Sequence, residues 1–530
     1  MDVALASPLH HNAVAKPTRD GDGTDMNRLT FAAALLAASA LAAPAHAAAD
    51  PDVSAELRAM RAEIESLRAE VAALKASATP PPLAATPSTA DSAPSPTPPA
   101  ASAAAAPPAD TSWKGAPQFT GANGFSFKPK GFIQFDAGYV GTPGPERAGT
   151  VGGLNYNNLG WNTRARRIVF GAEGTLPGGF GYKAEFNFAQ GTVDYEDIVL
   201  TYQRKGSPIQ VTIGNFFPLS SLETMTSSRL TSFLERASLT DAFGYNRRLG
   251  AAVALLDPEN DLYTLTAGIF SQEINNSSVN RTGWQASVRG TYSPEIGATR
   301  LHLGANFQHR VAQRDEQNVR YRARPLTQLT DQRFADTGAI AADGDDIAGV
   351  EFAAIRGPVH VAAEAQQVWV RGYRAGRGFG PNDGVGAGLF YAGDPGFRSA
   401  YGELGIFLTG ETRGYKGGRW DRTKVLNGFD KGGWGALQLN VRLDYLDLSD
   451  RVRSGAAILA PDFVNGGNQL GYQASLIWNP TDYLRFTAQY ARAAYEGGPR
   501  AGTVVSGSAA PFTGREFDVD SVAVRAQLEF

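Results

Sequence analysis

The chain has 530 residues, no cysteine, 60 glycines and a formal net charge of −3 at pH 7. The lack of cysteine excludes disulfide frameworks, thiol catalysis and thiolate metal sites, and the charge argues against a nucleic-acid partner, which normally leaves a strongly basic domain. Downstream of the leader, no stretch approaches the roughly 18 apolar residues of a membrane-spanning helix. A membrane protein without such helices must be a closed β-barrel, because no other structure satisfies its backbone polar groups in the bilayer.

A secretory leader is predicted at residues 26–47. Met26-Asn-Arg28 opens a short positive segment, residues 31–43 supply an apolar run, and Ala45-His-Ala47 offers small residues for cleavage. A signal peptide normally stands at the start of a protein. We therefore expect translation to begin at Met26 and residues 1–25 to be a mis-assigned extension, with a rare extended leader as the alternative.

Residues 48–78 are predicted to form a periplasmic coiled-coil helix. Apolar residues recur alternately three and four apart, and glutamates and basic residues flank this seam at the positions that pair neighbouring helices. A single amphipathic helix on a domain surface is the alternative. The seam residues are Leu57, Met60, Ile64, Leu67, Val71 and Leu74.

Residues 79–111 form a tract rich in proline, alanine, serine and threonine. Such a composition cannot bury a core, and it predicts an extended, semi-rigid linker.

Residues 112–530 consist of short alternating segments separated by Gly, Pro, Asn and Asp. In residues 437–445 and 484–490, for example, apolar residues occupy every second position and polar residues occupy the others. A soluble sandwich would turn the polar face outward, whereas a membrane barrel turns it toward the lumen. The leader and the aromatic C-terminus together favour an all-β transmembrane antiparallel barrel, and the length allows about 16 strands.

The last eleven residues predict the strand that closes this barrel. Val524, Leu528 and Phe530 share the apolar face, and Arg525 and Glu529 share the polar one. The final strand of bacterial outer-membrane barrels resembles this pattern closely, since it ends in Phe. The resemblance implies that these residues also form the signal read by the insertion machinery.

Several motifs resemble the phosphate-selective porin O and P family. They are Asn162–Leu176 followed by Gly181–Phe186, Leu222–Leu230 with Phe233–Arg236, Arg333–Gly338, Phe407–Arg413 and Tyr445–Asp450. The resemblance implies a 16-stranded, trimeric outer-membrane channel whose third loop, which contains the second motif, folds inward and narrows the pore.

The resemblance makes Arg229 and Arg236 the candidate residues for anion binding at the constriction. Guanidinium groups there would attract oxyanions, or they would instead pair with Glu223 or Glu235 and fix the loop to the wall. Four further cations have lumen parity and are candidates for the same role: Lys183, Arg289, Arg442 and Arg485.

Each of these four could instead belong to a cross-strand ion pair with Glu185, Asp444 or Glu529. A separate basic cluster, Arg164 to Arg167, could bind lipopolysaccharide phosphates outside, bind solutes inside or form a solvated rim.

One departure from the family pattern weakens the expectation of phosphate selectivity. The family usually has Gly-Gln-Phe-Lys before the third loop, whereas this chain has Phe217 at the position of the cation. We therefore expect a passive channel for small hydrophilic solutes with anion preference, and phosphate or polyphosphate remain among the candidate anions.

The alternative function is structural: an envelope tether that links the outer membrane to the cell wall through the coiled coil, with a general non-selective pore. No enzyme motif, metal site or cofactor site is predicted. The expected partners are two further copies in a homotrimer, outer-membrane lipids and lipopolysaccharide, small anionic solutes and, as a further candidate, peptidoglycan.

Overall fold

A computed structural model of the chain describes residues 110–113, 115–142, 159–275, 282–314, 317–372, 394–450, 464–497 and 516–530. All of them belong to one structural unit, Ala103–Phe530. The predicted leader, the coiled coil with its seam and nearly all of the linker lie outside the described residues. Among the described residues, no helix is long and apolar enough to cross a membrane.

Sixteen antiparallel strands close into a barrel, which confirms the predicted fold. In chain order they are β1 Ser126–Val140, β2 Gly160–Leu176, β3 Phe180–Asn187, β4 Asp194–Gln203, β5 Ile209–Phe216, β6 Arg248–Leu256, β7 Tyr263–Ser271, β8 Trp284–Tyr292, β9 Thr299–Val311, β10 Gly344–Arg356, β11 Val359–Arg371, β12 Gly396–Phe407, β13 Ala436–Asp450, β14 Val464–Asn479, β15 Leu484–Glu496 and β16 Glu516–Glu529. Each strand pairs with its neighbours in sequence.

Shorter elements lie outside the sixteen strands. The short strands are Asp110–Trp113, Pro117–Thr120, Glu295–Ile296, Asn318–Val319, Arg322–Ala323, Ala335–Asp336, Ile340–Ala341, Gly414–Lys416 and Arg419–Asp421. The helices are α1 Leu222–Met225 and α2 Ser238–Phe243, with single 3₁₀ turns at Ala122–Gly124, Ala189–Gly191 and Phe429–Lys431.

The seam of the barrel joins β16 to β1, from Ser521 opposite Val140 to Glu529 opposite Phe132. The chain end continues this pairing, because the backbone N–H groups of Gly131 and Phe530 donate to each other's carbonyl oxygens at 3.1 and 3.0 Å. Gly131 is required here, since a Cβ at this position would lie 2.6 Å from the Phe530 ring. The part of Phe530 in insertion stays a prediction.

The two faces of the wall follow the alternation in the sequence. On β16, Val524 is 51% exposed on the outward face, whereas Arg525 is 4% exposed on the inward face. Strands β3 to β8 have 8 to 10 residues, and every other wall strand has 12 to 17. The barrel therefore has a low wall, formed by β3 to β8, and a tall wall, formed by β9 to β16 with β1 and β2.

The connections give the barrel its orientation. At the end that holds Phe530, most connections are turns as short as residues 357–358, whereas the opposite end carries long loops. Short turns are typical of the periplasmic side and long loops of the extracellular side. Two extracellular connections are the third loop (217–247) and the fifth loop (312–343). The long periplasmic connection 408–435 is called the inserted turn.

The third and fifth loops build a hydrophobic core inside the barrel against the tall wall. Phe243 of the third loop meets Tyr321 of the fifth loop at a ring-centroid distance of 5.8 Å, and Tyr321 meets Phe397 of β12 at 5.2 Å. Each such fully buried large apolar side chain contributes roughly 1.5–3 kcal/mol. This core occupies the side of the lumen next to the tall wall.

Candidate pore and its arginine cluster

A cavity of about 860 Å³ lies between the third loop and the wall formed by β2 to β7. Seven arginines and five carboxylates line it: Arg166, Arg167, Arg236, Arg247, Arg248, Arg324 and Arg333, with Asp194, Glu196, Glu235, Asp241 and Glu273. The lining therefore carries an excess of positive charge. Low-dielectric walls around a cleft of one charge sign raise the local concentration of the opposite ion.

The low wall continues this open space toward the periplasm. Lys183, Thr201 and Thr212 face inward on β3, β4 and β5 and remain half-buried. Inward-facing residues of the tall wall, such as Glu351 and Asn440, are buried under the inserted segments. The inward-facing side chains of the low wall are thus less buried than those of the tall wall.

Four cavity arginines are neutralised by carboxylates. Arg166 donates to both oxygens of Glu235 at 2.7 and 2.9 Å, which fixes the third loop to β2. Burial alone would raise the pKa of Glu235, but the neighbouring guanidiniums, Arg166 first among them, hold that pKa well below its usual value. The other three are Arg247, which pairs with Glu196 and Asp197, and Arg324 and Arg333, which share Asp241.

The remaining three cavity arginines have no carboxylate within ion-pair distance among the described residues. Arg167 donates to the side-chain oxygen of Gln134 at 3.0 Å, and Arg248 donates to the carbonyl of Ser271 at 3.2 Å. Arg236 donates to the third-loop carbonyls of Glu223 and Thr226 at 2.9 and 2.7 Å. Their charges are therefore available to an anion in the cavity.

The pKa of Arg236 reflects this crowding of cations. Burial lowers it below the ordinary value for arginine, and the guanidiniums of Arg247 and Arg166 lower it further, while Glu223 and Glu235 act in the opposite direction. An arginine still keeps its proton at neutral pH. Like charges held together in this way are stabilised when an anion binds between them.

Aromatic rings lie between neighbouring arginines in the cavity and beside it. The Phe217 ring lies 4.2 Å from the guanidinium carbon of Arg247 and 5.4 Å from that of Arg236. Tyr245 stands between Arg248 and Arg310, at 3.8 and 4.0 Å. These cation–π contacts hold neighbouring guanidiniums apart without adding a charge.

Comparison with known proteins decides the family of this chain. The model of the family described as phosphate-selective porin O and P matches residues 150–530. The chain belongs to this porin family. An uncharacterized protein of Caulobacter vibrioides is 36% identical to this porin over 444 residues, which cover 82% of the chain and 80% of the relative.

Solved outer-membrane channels resemble this porin at low sequence identity. The channel DcaP of Acinetobacter baumannii is 14% identical, with a TM-score of 0.43 over 78% of this chain and 99% of that one. The anion-selective porin from Comamonas acidovorans is 11% identical, with a TM-score of 0.41 over 77% of this chain and all of that one. The family and the fold identify an outer-membrane channel and not an enzyme.

The cations predicted at lumen parity point inward but are mostly engaged with protein groups. Lys183 lies 2.7 Å from both Glu185 and Asp197, and Arg289 donates to both oxygens of Glu351 at 2.9 and 2.6 Å. Arg442 binds Glu403 of β12 and Glu223 of the third loop. Arg485 has no carboxylate partner among the described residues and donates to the third-loop carbonyls of Arg229 and Thr231.

The two predicted constriction residues have different surroundings. Arg236 lines the cavity, whereas Arg229 does not. Arg229 pairs with Glu529 of β16 at 3.3 Å, and not with Glu223 or Glu235 as the alternative interpretation had it. Arg229 therefore fixes the third loop to the closing strand, because the loop passes directly over that strand.

Sequence reasoning missed most of the cavity lining. Arg166 and Arg167 belong to the basic cluster for which solute binding inside the barrel is one of three predicted roles, whereas the sequence pattern does not single out Arg248 and Tyr245. A bulge between β1 and β2, at Gln134, places both Arg166 and Arg167 on the inner side of the wall.

In the described part of the chain, no group of three His, Asp or Glu side chains is arranged to hold a metal ion.

Proposed function

We propose that this porin is a passive diffusion channel for small hydrophilic solutes, with a modest preference for anions and weak affinity for phosphate. The observation that carries the proposal is the set of three cavity arginines, Arg167, Arg236 and Arg248, that no described carboxylate neutralises. Passage requires binding that is favourable enough for entry and weak enough for release.

Weak rather than tight phosphate binding is expected because the third-loop side of the cavity offers few free donors. Arg236 already uses its Nε and Nη2 on two third-loop carbonyls, so this edge of the guanidinium is not free for a bidentate contact with an oxyanion. Phe217 supplies a ring where the family usually places a cation. The cavity therefore offers a positive field more than a dedicated oxyanion site.

A homotrimer is part of the proposal. The low wall has strands of 8 to 10 residues, at or below the roughly 9–11 that cross a bilayer, so contact with other protomers suits it better than contact with lipid. The heptad seam predicted in residues 53–75 also supports association.

The test is the reversal potential of single channels in planar bilayers across a potassium chloride gradient. We expect chloride to be favoured by a small factor and millimolar phosphate to reduce chloride current only slightly. Arg167→Gln with Arg248→Gln should reduce the chloride-to-potassium permeability ratio by roughly two- to fourfold, since a unit charge about 8 Å from an ion in water changes the free energy of that ion by roughly 0.5 kcal/mol.

Two controls make this test specific. Arg248→Lys keeps the charge and should keep the ratio. Arg398→Gln removes an exposed charge that pairs with Asp447 outside the lumen, and it should leave the ratio unchanged. Cation preference of the unmodified channel, or micromolar block by phosphate, would contradict the proposal.

A further inference from the structure

The inserted turn, residues 408–435, reaches into the lumen from the periplasmic side. It carries a small hairpin whose strands are Gly414–Lys416 and Arg419–Asp421. The Tyr415 hydroxyl contacts Nδ1 of His302 at 2.6 Å, and it also bonds to Ser293. His302 faces inward on β9, so these contacts place the hairpin inside the barrel.

The tip of this hairpin is held from three directions. The carbonyl of Gly418 accepts a hydrogen bond from Arg289 at 2.7 Å, and the N–H of Gly417 donates to Asp261 at 2.6 Å. The N–H of Trp420 donates to Thr226 of the third loop at 3.2 Å. The backbone on both sides of Arg419 is therefore fixed against the wall and the third loop.

Close contact at Gly418 confirms that the tip cannot shift freely. Its φ is +69°, a left-handed conformation that favours glycine, and an added Cβ would lie 2.7 Å from the hydroxyl of Thr291. A side chain at this position would push the hairpin away from β8. The position of the hairpin tip is thus set by packing, before any solute arrives.

Arg419 is different from the other arginines in this region. Its side chain is exposed, and it has no hydrogen bond or ion pair among the described residues. The carboxylate of Asp197 interacts with it electrostatically, but that carboxylate already binds Lys183 and Arg247. Although the side chain is exposed, the surrounding protein partly desolvates its guanidinium and lowers its pKa, Asp197 acts in the opposite direction, and the guanidinium remains charged at neutral pH.

We propose that Arg419 is a specificity-determining residue of the channel, a cation presented to permeating anions at the periplasmic side of the arginine cavity. This inference rests on the proposed anion preference and adds a second binding position below the first. A backbone fixed by packing presents the charge without an ordering cost when the anion arrives. Two successive weak sites also suit conduction better than a single strong one.

The experiment compares Arg419→Gln and Arg419→Lys with the unmodified channel in planar bilayers across a potassium chloride gradient. Because a unit charge about 8 Å from an ion in water changes the local concentration of that ion about twofold, Arg419→Gln should lower the chloride-to-potassium permeability ratio about twofold, and the lysine variant should restore most of it. Lys431→Gln is the matched control. It removes an exposed charge from the same inserted turn, on the 3₁₀ turn Phe429–Lys431, and should change nothing.

The outcomes separate this inference from the proposed function. An unchanged reversal potential in Arg419→Gln overturns the role of Arg419, whatever the selectivity of the unmodified channel. If the unmodified channel prefers anions and Arg419→Gln has the same reversal potential, the cavity arginines alone are the source of selectivity. A shift of equal size in Lys431→Gln would also overturn the inference, because it would show that any charge on the inserted turn suffices. Heat-modifiable migration on gels checks that each variant has folded.

Discussion

The closing seam and the third loop share one arginine, and its replacement should destabilise both. Arg525 of β16 donates to both oxygens of Asp136 on β1 at 2.6 and 2.7 Å. The same guanidinium reaches the carbonyl of Leu234 at 2.7 Å and the carboxylate of Glu235 at 3.0 Å. Arg525 and Asp136 are 4% and 5% exposed, so the pair lies away from bulk water.

Arg525→Met would leave the carboxylate of Asp136 buried without its cation. Removal of one partner of a buried ion pair costs about 3–5 kcal/mol, whereas replacement of both partners by apolar residues is often neutral. We therefore expect Arg525→Met to lose about that amount of unfolding free energy. The double variant Arg525→Met with Asp136→Leu should recover most of it.

The assay is equilibrium unfolding by guanidinium in lipid vesicles, followed by tryptophan fluorescence. Arg492→Met is the matched control, because Arg492 lies on the neighbouring strand β15 and pairs with Asp518 on the exposed outer face. It should leave the unfolding midpoint unchanged. A loss below about 1 kcal/mol in Arg525→Met, the size expected of a surface pair, would refute the reasoning.

Three further predictions concern the loop, its pH dependence and the N-terminal region. Phe217→Lys, which adds a cation to the cavity lining, should strengthen phosphate block of chloride current, and Phe217→Met should not. The pKa of Glu235 is lowered on folding, so the ionised carboxylate stabilises the folded protein at every pH above the unfolded pKa of about 4.5. This stabilisation is lost only as pH falls toward the lower folded pKa. Glu235 therefore stays ionised, and reversal potentials should be constant, from about pH 7 to 5. A drift in that range that Glu235→Gln abolishes would show that folding does not lower the pKa of Glu235. A peptide of residues 53–75 should self-associate in sedimentation, and Ile64→Glu with Leu67→Glu should make it monomeric; a native peptide that is already monomeric would exclude the coiled coil.

The alternation of side chains was enough to predict the wall. It identified the strands and the inward parity of Lys183, Arg289, Arg442 and Arg485, because a strand sends successive side chains to opposite faces. It could not predict the partners of these cations. Glu351 lies two strands from Arg289 around the barrel, and the distance between them depends on barrel curvature, which no local pattern records.

The inserted segments were beyond prediction from periodicity for another reason. The fifth loop is irregular and rich in polar residues and the inserted turn is rich in glycine, as exposed loops are, yet both fold inward and bury apolar residues. A signal was present in the motifs: Arg333–Gly338 and Phe407–Arg413, the most distinctive resemblances to the family, lead into or lie within these segments. The position of Arg419 depends on how such segments fold together.

The hydrophobic core inside the barrel bears on how the pore can change its width. The third and fifth loops enter from one end and the inserted turn from the other, and they contact each other midway, as the hydrogen bond from Trp420 to Thr226 shows. Withdrawal of the third or the fifth loop would expose buried rings such as Phe243 and Tyr321 to water, and withdrawal of the inserted turn would expose Trp420. We therefore expect the aperture to be constant on the timescale of ion passage, so that throughput responds to the charges along the route and not to the movement of a gate.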